Sequence, residues 1–393
     1  VRDATPLFEP ADAQAAAAML AHAAHEGTRL IPHGSRSKLT PRAAADVATL
    51  SSRRLTQGLA HYAGDLVATV PAGATLRDVN AVLRAERQWI PIDPPFPTRA
   101  TIGGIVGAND SGPRRHRFGS PRDLIIGIEV ALTSGTVAHS GGRVVKNVAG
   151  YDLARLFCGS HGSLGVITSV TFKLAPVAPA SRTVVAPFAS VKAAVAAAGP
   201  VATNAALSPS AIELLTPEPR LLIRFESTER SADFMASEVV AHLASEGHEA
   251  QVVADADEAA LWRAHEQTES ADDGVVALLS VLPSAAGSAL EEAERLARDC
   301  GIRWSATGRA AMGLFRMRVD GAVDGVRRFA LALRPVLVAS GAHVRFAGAT
   351  DVLPGGFDLA GPIGSAARVA FAVKQQFDPT GILPYPWAEP DRG

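Results

Sequence analysis

The sequence predicts an α+β fold of two domains, and three observations carry that prediction. At 393 residues the chain exceeds the size at which one hydrophobic core keeps growing. Thirteen glycines crowd into residues 98–176, in short clusters between apolar runs. From Thr183 to about Gly348 the clusters stop, and strand-like segments alternate with alanine-rich helical ones in mixed order, the pattern of an antiparallel sheet covered by helices.

The elements follow from local signals. Pro10 to Glu26 has helical periodicity, Gly27 stops it, and Thr28 to Pro32 is a short strand. That strand delivers the chain to a tight loop of small donors, His33 to Lys38. Leu66 to Val70 reads as a strand, and Thr75 caps a helix that runs to Glu86. Pro91 to Pro97 is a rigid connector. Asp123 to Leu132 and Gly165 to Leu174 are strands by length and β-branched content. After a shift in composition at Pro176 to Pro179 come strands at Ala211–Leu215, Arg220–Phe225, Gly274–Leu282 and Leu314–Val319, with helices at Ala232–Glu246, Ala289–Cys300 and Val323–Ala339. Ser365 to Phe377 is a last helix, ended by the turn Asp378-Pro379-Thr380-Gly381. No internal repeat is visible. The expected domains are 1–178, 179–350 and a segment 351–393 that returns to the first.

Composition excludes several classes. Apolar content of 47% with 20% charged residues suits a folded, soluble protein, and a net charge of −1 leaves no footprint for nucleic acid. Two cysteines, Cys158 and Cys300, cannot hold an iron–sulfur cluster or a disulfide framework. No apolar run approaches a membrane span, and the first residues lack the pattern of a secretory signal. A cytoplasmic location is expected, with attachment to the inner membrane open only through a partner.

Repeated glycine beside Ser, Thr and Asn lets backbone N–H groups surround a ligand closely, which suits a large phosphate-bearing cofactor. Two familiar nucleotide motifs fail. Gly159, Gly162 and Gly165 are spaced G-x-x-G-x-x-G and precede a strand, unlike a Rossmann fingerprint, and a Gly-Lys-Ser/Thr loop is absent. Gly34, Ser35, Arg36, Ser37 and Lys38 are the best diphosphate loop: Gly34 turns the chain, the serines add donors and Arg36 or Lys38 adds charge.

Thr101-Ile102-Gly103-Gly104, Asn109-Asp110-Ser111-Gly112, Lys146 to Asp152 and Gly159 to Thr168 resemble the flavin-binding domain of the FAD-linked oxidases of the vanillyl-alcohol oxidase type. Within that group the chain resembles the FAD-binding subunit of the glycolate oxidase complex, over Pro10 to Leu383. The resemblance implies a two-part FAD-binding domain with a ferredoxin-like α+β cap. It implies that Thr101, Ile102, Gly103 and Gly104 run along FAD with Asn109, Ser111 and Gly112 nearby. Gly119 and Ser120 belong to the same loop, and Gly165, Val166 and Ile167 contact the ribityl or adenine end. Many relatives tether FAD through a histidine in the first loop; the matching position here is Arg36, so the flavin is expected to be non-covalent, with His33 a packing or hydrogen-bonding residue. Lys146, Tyr151 and Asp152 are either a surface group or an edge of the flavin domain. His161 replaces the commoner Glu, and Pro384 follows Gly381-Ile382-Leu383 where relatives continue with Asn.

Oxidising a small 2-hydroxy acid needs a base and a cation for the carboxylate. His343 is the cap's best base, and Arg345 or Arg114 the best carboxylate partner. No histidine-rich metal set appears, and metal is not expected. The resemblance implies an oxidoreductase subunit working with a catalytic flavin subunit and a separate iron–sulfur subunit on glycolate; the alternative is a self-sufficient FAD enzyme for another alcohol or hydroxy acid.

Overall fold

The computed structural model describes residues 7–37, 47–142, 152–270, 274–362 and 364–384. Contacts divide the chain into two units. The first is Val1–Gly112, Phe118–Val177 and Pro362–Gly393, and the second is Pro113–Arg117 with Ala178–Gly361.

The first unit begins with strand β1 (Leu7–Phe8), helix α1 (Ala13–Glu26), β2 (Leu30–His33) and β3 (Ala48–Ser51), which form a parallel sheet in the order β1-β3-β2. Asp12 starts α1 by accepting a hydrogen bond from the Ala15 N–H at 2.7 Å, and Gly27 ends it in the left-handed region at φ 66°. Ala16, Ala17, Leu20 and Ala23 of α1 pack with Leu30 and Leu50 in a core that Ile382 and Leu383 complete.

β4 (Ala60–Tyr62), β5 (Val67–Pro71), α2 (Leu76–Leu83), β6 (Gln88–Trp89), α3 (Ile102–Ala108), α4 (Arg115–Phe118), whose first three residues belong to the second unit, α5 (Pro121–Leu124), β7 (Ile125–Ala131), β8 (Val137–Gly141), α6 (Leu153–Phe157), β9 (Val166–Lys173) and β10 (Ala175–Pro176) follow. Among the described residues, five strands form an antiparallel sheet in the order β4-β5-β9-β7-β8. Thr75 caps α2 as the sequence predicts, accepting from the Asp78 N–H at 3.2 Å. Two local readings change. The strand expected from Asp123 begins at Ile125, because Pro121 and the Ser120–Asp123 capping box make a helical turn first. The glycine-rich stretch after Thr101, read from the sequence only as a lining for FAD, is a helix, α3; Thr101 caps it, and Ile102, Ile105 and Val106 anchor it in the core.

The second unit runs β11 (Ala180–Pro187), α7 (Val191–Thr203), β12 (Ala211–Leu215), β13 (Arg220–Ser227), α8 (Glu229–Ser245), β14 (Gln251–Ala254), then α9 (Asp255–Glu269). It repeats the plan with β15 (Val275–Ser280), α10 (Ala286–Asp299), β16 (Arg303–Arg309), β17 (Leu314–Asp320), α11 (Val323–Ala339) and β18 (His343–Gly348). The strands form one sheet in the order β14-β11-β13-β12-β16-β17-β15-β18, with every pairing antiparallel. Each half is a β-α-β-β-α-β unit with its first strand between its third and fourth, the ferredoxin-like topology. The cap is therefore two ferredoxin-like units joined edge to edge through β12 and β16, a duplication of fold where the sequence shows no repeat. Helices α7, α8, α10 and α11 supply Val195, Val239, Leu290 and Phe329 to one continuous core.

The chain returns to the first unit as α12 (Ala367–Phe377). Lys374 is buried and donates to Asp378 and to the Leu383 carbonyl, while Asp378 accepts the N–H groups of Ile382 and Leu383. The Ile382 carbonyl then accepts from Leu30 at 2.9 Å, which fixes this segment beside β2.

Candidate functional site

β2 runs into the turn at Gly34, and this turn meets the start of α3. A Cβ at Gly34 would overlap Thr101 Oγ1, so only glycine lets the two approach. Gly34, Ser35, Arg36 and Ser37 form one wall of a pocket; Thr101, Gly103 and Gly104 form a second; Gly165, Val166 and Ile167 at the start of β9 close a third. Arg36 adopts φ 61°, and its guanidinium donates to His33 Nε2, with nitrogen separations of 3.3 and 3.4 Å. His33 Nδ1 lies 2.7 Å from the Gly34 carbonyl oxygen, as a hydrogen bond from the ring N–H requires. Burial lowers the His33 pKa, and Arg36 and Arg53 lower it further against that hydrogen bond. His33 is thus a neutral ring that orients Arg36, in keeping with its expected hydrogen-bonding role.

Other predicted positions lie elsewhere. Ile102 is fully buried in the core. The Asn109 side chain accepts from Arg122 N–H at 3.2 Å and from the Cys158 thiol at 3.3 Å. A Cβ at Gly112 would overlap the Asp93 carbonyl; Gly119 abuts the Asp123 side chain; Ser120 is bonded to Asp123. None of these, nor Ser111, lines the pocket. Lys38, Lys146 and Tyr151 lie outside the described residues. Asp152 caps α6 through the Arg155 N–H and pairs with its side chain, a local helix-start role. Pro32, Ser52, Gly107, His161 and Gly162 line the pocket without having been singled out as ligand contacts. The G-S-H-G-S spacing signals a turn at His161, but its neighbour across the fold, Gly107, is visible only in three dimensions: the His161 N–H donates to the Gly107 carbonyl at 2.8 Å.

The residues present suit a diphosphate-bearing cofactor. Among the described residues, the pocket lining offers the Arg36 guanidinium, the imidazoles of His33 and His161, and serine and threonine hydroxyls, and no carboxylate. At Gly107 a Cβ would meet nothing within 4 Å, so that wall is left open toward the pocket. Residues 4–141 match the family described as the FAD binding domain. This stretch is an FAD-binding domain. This domain's chain is 36% identical over 159 residues to the glycolate oxidase subunit GlcD of Bacillus subtilis (strain 168), covering 40% of this chain and 33% of that protein. It is 39% identical over 151 residues to the glycolate oxidase subunit GlcE of Escherichia coli (strain K12), covering 38% and 43%. The matches thus span less than half the length of these relatives. Alkyldihydroxyacetonephosphate synthase has the same fold, with a TM-score of 0.74 over 98% of this chain and 77% of that one at 16% identity. The FAD-binding domain and its α+β cap are therefore of the vanillyl-alcohol oxidase type.

In the second unit, His343 is exposed at the start of the edge strand β18, and Arg345 lies half-buried two residues on, on the same side of the strand. Burial, then Arg345 and Arg334, hold the His343 pKa below its usual value despite Asp358. Arg114 is committed: its guanidinium forks onto Glu226 at 2.9 and 2.8 Å. Burial pushes the Glu226 carboxyl up, but Arg114 and Arg224 outweigh it and hold it at about 2. A depressed carboxyl stabilises the fold above the ordinary carboxylate pKa and loses that contribution as pH falls toward 2. Lowering the pH from about 5 to 2 should cost the second unit roughly 3 kcal/mol from this group, and E226Q should flatten that limb of a stability-against-pH curve.

A second cluster sits at the seam of the cap. Glu213 on β12 faces Arg309 on β16 in register, and His265 and Glu269 reach them from α9. Ligand-type atoms of Glu213, His265 and Glu269 lie within 4.8 Å of one another. Arg309 already supplies their cation, 3.4 Å from Glu213 Oε1 and 3.1 Å from Glu269 Oε2, and His265 Nε2 is 3.2 Å from Glu213 Oε2. The donor set fits a self-neutralised ion network better than a metal centre. Among the described residues no helix is long and apolar enough to cross a membrane.

Proposed function

We propose that the chain is the non-covalent FAD-binding subunit of a glycolate oxidase-like complex, and that electrons from a 2-hydroxy acid leave through a separate iron–sulfur subunit. The observation that carries this reading is the glycine-walled pocket whose described residues bring the Arg36 guanidinium, two imidazoles and hydroxyl donors and no carboxylate. Its likeness to two glycolate oxidase subunits supports the substrate class, and a sequence with two cysteines lacks the usual four thiolates for a cluster of its own. FAD, when bound, supplies the two-electron acceptor chemistry. The protein's residues bind and orient it: the Gly34 turn offers N–H groups to the diphosphate, Arg36 held by His33 adds charge, and Thr101 with Gly103 and Gly104 allows close approach. Arg36 offers no ring nitrogen for a covalent flavin bond.

One feature favours a second reading, a self-sufficient hydroxy-acid oxidoreductase. His343 is held toward its neutral form, as a base for a hydroxyl proton needs, and Arg345 beside it can hold a carboxylate. An absorbance spectrum of the purified chain separates the two. The subunit reading expects flavin bands that acid precipitation leaves in the supernatant and that anaerobic glycolate or D-lactate does not bleach. Bleaching by either acid in the isolated chain would replace it with the self-sufficient enzyme, and H343A would then lose the bleaching while keeping FAD.

A further inference from the structure

We propose that Gly107 is a cofactor-contact position whose missing side chain is space for FAD; this rests on the FAD reading above. The other glycines in the pocket wall have a reason inside the protein to lack a Cβ. At Gly34 it would overlap Thr101; at Gly103 it would lie 3.0 Å from Ala72 Cβ; at Gly104, 3.1 Å from Thr101 Oγ1. At Gly162 it would lie 3.1 Å from Pro32 Cβ, and at Gly165, 2.8 Å from the Ala131 carbonyl, and both adopt positive φ. Gly107 has neither constraint. Its backbone is helical, and no described residue outside its own helix backbone comes within 4 Å of its Cβ position, although the residue itself is buried.

That empty position opens into the pocket, whose wall Gly107 forms. The backbone there cannot swing aside to accommodate a side chain. The Gly107 carbonyl accepts the His161 N–H at 2.8 Å, and the preceding Val106 carbonyl accepts the Gly159 N–H at 3.0 Å. Two successive bonds thus fix α3 to the Gly159–Gly162 turn. A side chain at 107 would fill cofactor space rather than protein space, and glycine in a helix is otherwise the less stable choice.

The test is FAD titration by flavin fluorescence, with melting of the apo protein measured in parallel, for wild type, G107A, G107V and the control G199V. Gly199 in α7 is an equally open helical glycine in the second unit. The expected result is an FAD Kd raised at least tenfold by G107V and less by G107A, with the apo G107A protein melting no lower than wild type and G199V binding as wild type. A G107V affinity within twofold of wild type overturns the proposal, as does a G107A protein whose apo melting falls, because the position is then structural. A wild-type chain that binds no FAD removes the cofactor reading itself, and the proposal with it.

Discussion

Replacing Arg309 with methionine is expected to destabilise the second unit by about 3–5 kcal/mol, the effect of leaving buried carboxylates without their cation. Glu213 and Glu269 are 0% and 4% exposed, so water cannot take over from the guanidinium. In the wild type, burial raises the Glu213 carboxyl, while for Glu269 burial is outweighed by Arg309, then by His265 and Arg316, and that carboxyl is lowered. Burial opposes the charged form of His265, yet its hydrogen bond to Glu213 and the charge of Glu269 raise its pKa. Removing Arg309 takes away the largest influence that lowers the Glu269 carboxyl and leaves burial opposed by His265 and Arg316, so its pKa rises from the wild-type position. A carboxyl that is less depressed contributes less stability above the ordinary carboxylate pKa, and the difference closes as it protonates. The deficit of the variant relative to wild type should therefore shrink as pH falls into the carboxylate range, read from denaturant midpoints. Adding E213Q and E269Q should restore most of the loss. A single variant within about 1 kcal/mol of wild type would mean that the seam does not depend on the network.

Gly34→Val is the second large effect, expected to weaken FAD binding a hundredfold or more, about 3 kcal/mol. The added side chain collides with Thr101 Oγ1, the atom that caps α3 by accepting the Gly104 N–H at 3.3 Å. Relief by movement of the threonine therefore costs the cap, and relief by movement of the turn takes Arg36 and the N–H groups of the loop away from the diphosphate. Because the atoms nearest the new Cβ all belong to Thr101, the pair G34A with T101G should bind FAD better than G34A alone. Titration of the two proteins checks this, and no recovery in the pair would place the fault in the turn's backbone rather than in the collision.

The parts of this fold that are legible in the sequence are those specified locally. Ala211–Leu215 and Val323–Ala339 have the same bounds in sequence and structure, since apolar runs and helical periodicity mark them without help from distant residues. Thr75 and Gly27 mark helix ends by their own chemistry. Helix α9 is not apparent because Glu258, His265 and Glu269 are buried by charged partners on other strands, which breaks the apolar period. Helix α3 is hidden by four residues of glycine and alanine in seven, a composition that core packing overrides. The duplicated cap leaves no sequence repeat because topology rests on apolar pattern and not on residue identity. In the site, glycine clusters reveal the walls near Gly34, Thr101 and Gly165. They equally attract attention to Gly112 and Gly119, which are small to fit Asp93 and Asp123.

The fastening of Ile382 and Leu383 beneath β2 bears on the order of events at the ribosome. The core around α1 is incomplete until these residues emerge, whereas the second unit has all its strands by Gly348 and its remaining core residues, such as Leu353, by Gly361. The inserted cap can fold once Gly361 has emerged, while the flavin unit still waits for its last strand-side partners, because domains fold as units during vectorial synthesis. The cofactor pocket then takes shape after the cap, and a nascent chain that has emerged only as far as residue 361 would carry a finished cap and an unfinished flavin site.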